Sequence, residues 1–340
     1  AAAASIQCCS TLERRLKPGG RHKTWRNTIA SFTADKPLDK GQRVLKPVHR
    51  IGFFDENNMN LCVLNESDGS IETLVHIEES SSGMYRRTVW SPDGRQFAFT
   101  GTVDGVRGTY ILDADGRNRE LVLKPKGKSD EGVLAWHKDL KLIFVLKNID
   151  GNAEIYSVKD SLYLVNLTKS PSWEFFPTVF PDGRIAFVSN IDEKEGVENS
   201  TFKNVYVLDP DHAGFNFLLS LEGMNMETVS TTGIFPDISP DGKLMCYTLK
   251  GDIYIIDTDG ENKRNITNTP NLTELTPSFS SDGKSILYSG SSKPETDFLS
   301  GNKPTMNLFK VDIETLEKKQ LTFGENNFFT HPLYQPYQKQ

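Results

Sequence analysis

The chain is 340 residues long, 37% hydrophobic and 25% charged, with a net charge of −6, a make-up that suits a soluble all-β protein. Its longest unbroken aliphatic or aromatic run, residues 142–146, is far too short to span a bilayer, so no integral membrane segment is expected. Both signs of charge are intermixed along the body, which argues against a nucleic-acid partner.

Residues 1–47 stand apart as a basic N-terminal arm. They open on four alanines and carry Arg14, Arg15, Lys17, Arg21, Lys23 and Arg26 against a single acid in that stretch, Glu13. The arm reads either as a leftover leader or as a basic strap lying on an acidic partner or on the body's own acidic face. Cys8 and Cys9 belong to it, whereas Cys62 and Cys246 fall inside strand patterns, where small buried thiols are expected.

Residues 48–340 form the body. Residues 48–77 read as three strands, HRIGFFD, NLCVLNES and SIETLVHI, joined by turns at Asn57-Asn58 and Asp68-Gly69. From Val89 onward one phrase recurs, an apolar strand, a Pro-Asp-Gly or Ser-Asp-Gly turn followed by Lys or Arg, and a second apolar strand: VWSPDGRQFAFTG, TVFPDGRIAFVSN, DISPDGKLMCYTL and SFSSDGKSILYSG. A degraded copy, AWHKDLKLIFVL, keeps Trp136 and Asp139 in the places of Trp90 and Asp93. Pro sets φ at the corner, Asp bonds its own backbone two residues on, and Gly accepts positive φ, so each copy is a β-hairpin. A third strand ending in Asp and a fourth apolar strand follow each hairpin.

The steps between turn aspartates, from Asp93 to Asp139, Asp182, Asp241 and Asp282, are 46, 43, 59 and 41 residues. That is the period of a propeller blade. Blades two to six are expected at residues 85–123, 132–168, 173–221, 232–267 and 275–322. The first strand of blade one is missing from its own neighbourhood and is supplied by FFTHPLYQP near the C-terminus, which matches FFPTVFPDG through its Phe-Phe pair and its proline. The fold expected is a six-bladed all-β propeller closed by a C-terminal strand, with insertions at residues 190–204 and 291–306 between second and third strands.

The Ser/Pro-Asp-Gly hairpin, the third strand ending in Asp-x-Asp-Gly and the blade exit Asn-Ile-Thr-Asn-Thr-Pro at residues 265–270 resemble the WD-like repeats of TolB-type propellers. Related blades occur in prolyl-oligopeptidase-type peptidases. The resemblance covers residues 48 onward and implies the fold. It implies no chemistry by itself, because one scaffold serves unrelated tasks.

Propeller ligands meet the face made by the segments that lead into the innermost strands. Those segments carry Arg86, Arg87, Glu131, Trp173, Glu174, Glu274 and His331, a mixed-charge set with aromatics that suits a peptide or a glycan. The alternative is that these groups solvate the channel mouth and pair with one another, and that Trp173 with Phe175 and Phe176 packs between blades.

Specific catalytic signals are missing from the sequence. The six histidines form neither HxH nor HExxH, no GxSxG elbow occurs, and no Cys/His spacing suggests a metal, so no cofactor, metal or catalytic residue is expected. Five Asn-x-Ser/Thr sequons occur, at Asn65, Asn166, Asn199, Asn265 and Asn271, three of them by-products of the blade-exit pattern. The expected function is a non-catalytic propeller that recognises a protein or peptide segment in an exported or envelope-associated assembly, periplasmic or extracellular. The alternative is a carbohydrate-active enzyme with Glu174 and Glu274 as acid and base.

Overall fold

The computed structural model describes residues 49–80, 88–124, 131–139, 141–147, 152–160, 163–191, 204–212, 214–220, 234–270, 272–291 and 305–336. The basic arm lies outside them, as do Arg86, Arg87, Asn199 and Asn271. Every strand described belongs to one of six antiparallel sheets, and the first strands of neighbouring sheets pack against one another. The sheets therefore stand in a ring as the blades of a propeller, each first strand facing the axis.

The recurrent turn folds as its residues dictate. Asp93, Asp182, Asp241 and Asp282 each accept the backbone N–H two residues on at 3.0–3.1 Å, and Gly94, Gly183, Gly242 and Gly283 all have φ between 65° and 103°. In three blades the serine before the turn adds a second tie. The hydroxyls of Ser91, Ser239 and Ser280 donate to those aspartates at 2.6–2.7 Å and accept the backbone N–H five residues on. Blade three replaces that serine by His137, whose Nδ1 lies 3.0 Å from the N–H of Asp139 and whose Nε2 lies 2.7 Å from the carbonyl of Gly183 in blade four. The N–H donation makes Nδ1 the acceptor and leaves Nε2 to donate.

Blade one is completed from the far end of the chain. Its strand Arg50–Asp55 pairs with Asn60–Asn65 on one side and with Phe329–Tyr334 on the other. The register corrects the match expected between the chain's ends. His331-Pro332 is equivalent to Phe176-Pro177, because in both places two residues bulge out opposite one on the neighbouring strand. The prolines align and the Phe-Phe pairs are offset by two positions.

Blade two differs as well. Its innermost strand comes in two pieces, Glu79–Ser80 and Val89–Trp90, both paired with Gln96–Val103.

The apolar core lies between blades. One cluster joins blades three to five around Phe187 and Tyr247, and others fill the one/two, six/one, two/three and five/six junctions. Cys62 and Cys246 are buried within these layers and form no disulfide. Trp173 also serves there, its ring 5.8 Å from that of Phe175.

Candidate functional site at the axial mouth

Four innermost strands share a feature that the hydrophobic pattern alone does not reveal. Phe176, Phe235, Thr276 and His331, each followed by a proline, adopt positive φ of 53°, 42°, 53° and 53°. Such a conformation is uncommon outside glycine and unfavourable for a β-branched residue such as Thr276. In blades one, four and six this is the bulge at which the strand register shifts.

These residues meet near the axis. The ring of Phe235 lies 4.9 Å from that of Phe176 in the neighbouring blade and 5.1 Å, edge-on, from the imidazole of His331. Blades five and one are not neighbours, so Phe235 reaches across the front of blade six. There the hydroxyl of Thr276 accepts the backbone N–H of His331 at 3.1 Å. Below this collar, hydrogen bonds tie the innermost strands together. Asp237 accepts from the Thr178 hydroxyl in blade four and from the N–H of Phe279 in blade six. Ser278 donates to the carbonyl of Pro332, and the indole N–H of Trp90 donates to that of Leu333.

The three acids singled out from the sequence occupy one repeated place. Glu131, Glu174 and Glu274 lie at the starts of the innermost strands of blades three, four and six, at Glu131–His137, Glu174–Val179 and Thr273–Phe279. Glu174 and Glu274 are wholly buried. Glu174 accepts from the hydroxyls of Thr168 and Ser189, and Glu274 Oε1 lies 2.7 Å from the hydroxyl oxygen of Thr269. Thr168 and Thr269 belong to the exits of the preceding blades, so each glutamate joins two blades.

Burial pushes both carboxyls up to about 7. For Glu174 the hydroxyls of Ser170, Thr168 and Ser189 oppose the shift and Glu154 adds to it. For Glu274 the hydroxyls of Thr267 and Thr269 and the Lys318 ammonium oppose it, and Asp252 adds to it.

The blade exits are structural too. The threonine hydroxyls of Asn166-Leu167-Thr168, Asn265-Ile266-Thr267 and Gln320-Leu321-Thr322 accept the N–H groups of Ile155, Ile253 and Leu308 on the third strands. Asn166 and Asn265 donate to Glu154 and Asp252.

Among the described residues no group of three or more His, Cys, Asp or Glu side chains is placed to hold a metal ion. No helix among them is long and apolar enough to cross a membrane.

No family model matches the chain. A curated relative, the uncharacterised protein Atu1656 of Agrobacterium fabrum, is 26% identical over 160 residues, which is 46% of this chain and 52% of that protein. The match thus spans about half the relative's length. Among solved structures, TolB from Acinetobacter baumannii superposes with a TM-score of 0.58 at 18% identity, over 85% of this chain and 67% of that one. A putative TolB from Agrobacterium tumefaciens superposes with a TM-score of 0.56, also at 18% identity, over 86% of this chain and all of that one. The fold is accordingly that of a TolB-like six-bladed β-propeller.

Proposed function

We propose that the propeller is a binding module that takes a protein or peptide segment at its axial mouth, within an exported or envelope-associated assembly. The observation that carries this reading is the collar itself. Four strained backbone positions turn toward one axis, and backbone strain of this kind gathers at ligand clamps and functional sites. At that level the Phe235 ring touches those of Phe176 and His331, and a partner would seat a protruding segment against them.

Apolar rings beside backbone groups suit an extended peptide. The TolB-like fold is compatible with this reading and with others. As partners of a reaction Glu174 and Glu274 are poorly disposed, since a general acid must reach the group it protonates and both are enclosed by blade-exit hydroxyls.

The test is selection of binding peptides from a displayed random library on the full chain, followed by competition with Phe235→Ala and with Arg86→Glu/Arg87→Glu. The reading expects peptides of shared sequence whose affinity falls at least about tenfold in one of these variants, a change of about 1.4 kcal/mol. Peptides indifferent to both variants, together with turnover of an oligosaccharide that Glu174→Gln abolishes, would favour the carbohydrate-active alternative.

A further inference from the structure

The junction between blades five and six carries two carboxylates whose hydrogen bonds can be counted. Asp252, at the start of a third strand, accepts the N–H of Thr269 at 2.9 Å and the Asn265 amide at 2.8 Å. Thr269 Oγ1 lies 3.3 Å from Asp252 Oδ1 and 2.7 Å from Glu274 Oε1. A hydroxyl has one proton to donate, so it serves one of the two carboxyls and accepts from the other. Asp252 already holds two fixed donors, which makes it the acceptor of the set. Glu274 is wholly buried, and its Oε2 makes no hydrogen bond of normal geometry, since the Thr267 hydroxyl that acts on this carboxyl is engaged as the acceptor of the Ile253 N–H. A bare carboxylate there would be left half-satisfied beside a second anion.

We propose that the Glu274 carboxyl carries a proton that it donates to Thr269, which in turn donates to Asp252, so that the seam between blades five and six is a latch that releases when this proton leaves.

The arrangement recurs. At the junction of blades three and four, Glu154, Asn166, Thr168 and Glu174 occupy the places of Asp252, Asn265, Thr267 and Glu274. At the ring-closing junction of blades six and one the same places hold uncharged groups, Asn307, Gln320, Thr322 and Phe329. The proton-bearing pair is therefore a feature of particular seams.

The groups that face Glu274 are Asp252 from the third strand of blade five, the Lys318 ammonium from the outermost strand of blade six and the Tyr288 phenol from its second strand. Lys318 donates to the carbonyl of Thr267, which holds its ammonium at the seam as the nearest cation to an ionised Glu274. The titration falls where burial and Asp252 outweigh that cation, at about 7. This latch does not depend on what the mouth binds.

Amide hydrogen exchange on the full chain, corrected for intrinsic rates, tests the latch. The reporters are Ile253, Ile266 and Glu274, whose N–H groups bond Thr267 Oγ1, the carbonyl of Ile253 and that of Gly251. Protection of these amides is expected to fall about tenfold as pH rises through the titration of Glu274, the equivalent of about one pKa unit of coupling. In Glu274→Gln, whose amide donates to Thr269 at every pH, that fall disappears. An equal fall in Glu274→Gln, or no fall in the native chain, overturns the proposal. Should the variant fail to fold, the side-chain carboxyl 13C shift of Glu274 in the native chain reads the proton directly, and a midpoint in the ordinary glutamate range overturns it.

Discussion

Lys310 Nζ of blade six lies 2.8 Å from Glu66 Oε1 of blade one, across the seam where the last blade meets the first. The Tyr334 hydroxyl donates to the other oxygen of Glu66 at 3.1 Å, and the Lys310 ammonium lies 5.7 Å from the centre of the Tyr334 ring. Burial pushes the Glu66 carboxyl up, but the Lys310 and Tyr334 interactions outweigh it and leave the group below the ordinary carboxylate range. The C-terminal strand is thus clasped by polar groups as well as paired. Glu66→Ala, which strips partners from both Lys310 and Tyr334, is expected to cost about 1–3 kcal/mol in urea unfolding. Lys310→Ala should cost less, because Tyr334 still serves Glu66. Equal midpoints for the native chain and Glu66→Ala would show that the clasp contributes nothing.

The turns on the opposite rim make a second class of junction. A Cβ on Gly94 would lie 2.5 Å from the carbonyl oxygen of Pro336 in blade one, whereas a Cβ on Gly69 would meet nothing within 4 Å. Both glycines have positive φ, 65° and 73°. Gly69→Ala should therefore carry only the backbone penalty, about 1–2 kcal/mol, and Gly94→Ala clearly more, because a neighbouring blade must move. Thermal unfolding of the two variants side by side separates strain from interlock. If Gly69→Ala proves the more damaging, the packing of these turns onto the neighbouring blade is wrong.

Stability should vary with pH in a definite direction. Glu174 and Glu274 are raised from 4.5 to about 7 on folding, so the stability tied to their protonated forms is complete below the unfolded value and drains away as pH rises through about 7. The turn carboxylates Asp182, Asp241 and Asp282 are held below their ordinary value. Burial works against that lowering in Asp182 and Asp282, and the backbone and side-chain hydrogen bonds that each turn supplies outweigh it. Their contribution is lost as pH falls below the ordinary aspartate range. The melting temperature should accordingly peak on the mildly acidic side of neutrality. In the double variant Glu174→Gln/Glu274→Gln the decline toward neutral pH should flatten. A native melting temperature that climbs steadily through neutrality contradicts this.

Much of the ring was legible in the residues. The turn aspartates gave the blade period, and their hydrogen bonds, the positive φ of the glycines and the completion of blade one from the C-terminus appear in the structure. The alternation of apolar residues could not show the collar, because Phe176, Thr276 and His331 break the two-residue period at a bulge and Phe235 lies ahead of the strand Asp237–Ile238. A signal existed all the same. Pro177, Pro236 and Pro277 stand five residues before the turn aspartates Asp182, Asp241 and Asp282, a spacing that marks the positive-φ residue ahead of each proline. Glu174 and Glu274 drew notice as charges beside the mouth, yet their place is a seam between blades. Their partners, Thr168 and Thr269, come from the preceding blade's exit, a relation that no local pattern encodes.

The account rests on the chain's two ends sharing one sheet, and a paired-cysteine experiment tests that most directly. The N–H of Gln335 donates to the carbonyl of Arg50 at 2.9 Å, and both side chains reach blade two, Arg50 at the carbonyl of Ala114 and Gln335 at that of Gly94. Oxidation of Arg50→Cys/Gln335→Cys should form an intramolecular disulfide between these positions, mapped by peptide mass. By closing a loop that spans nearly the whole body it should raise stability by about 4 kcal/mol. Recovery of only intermolecular or mismatched disulfides, with unfolding unchanged, would contradict the closed ring.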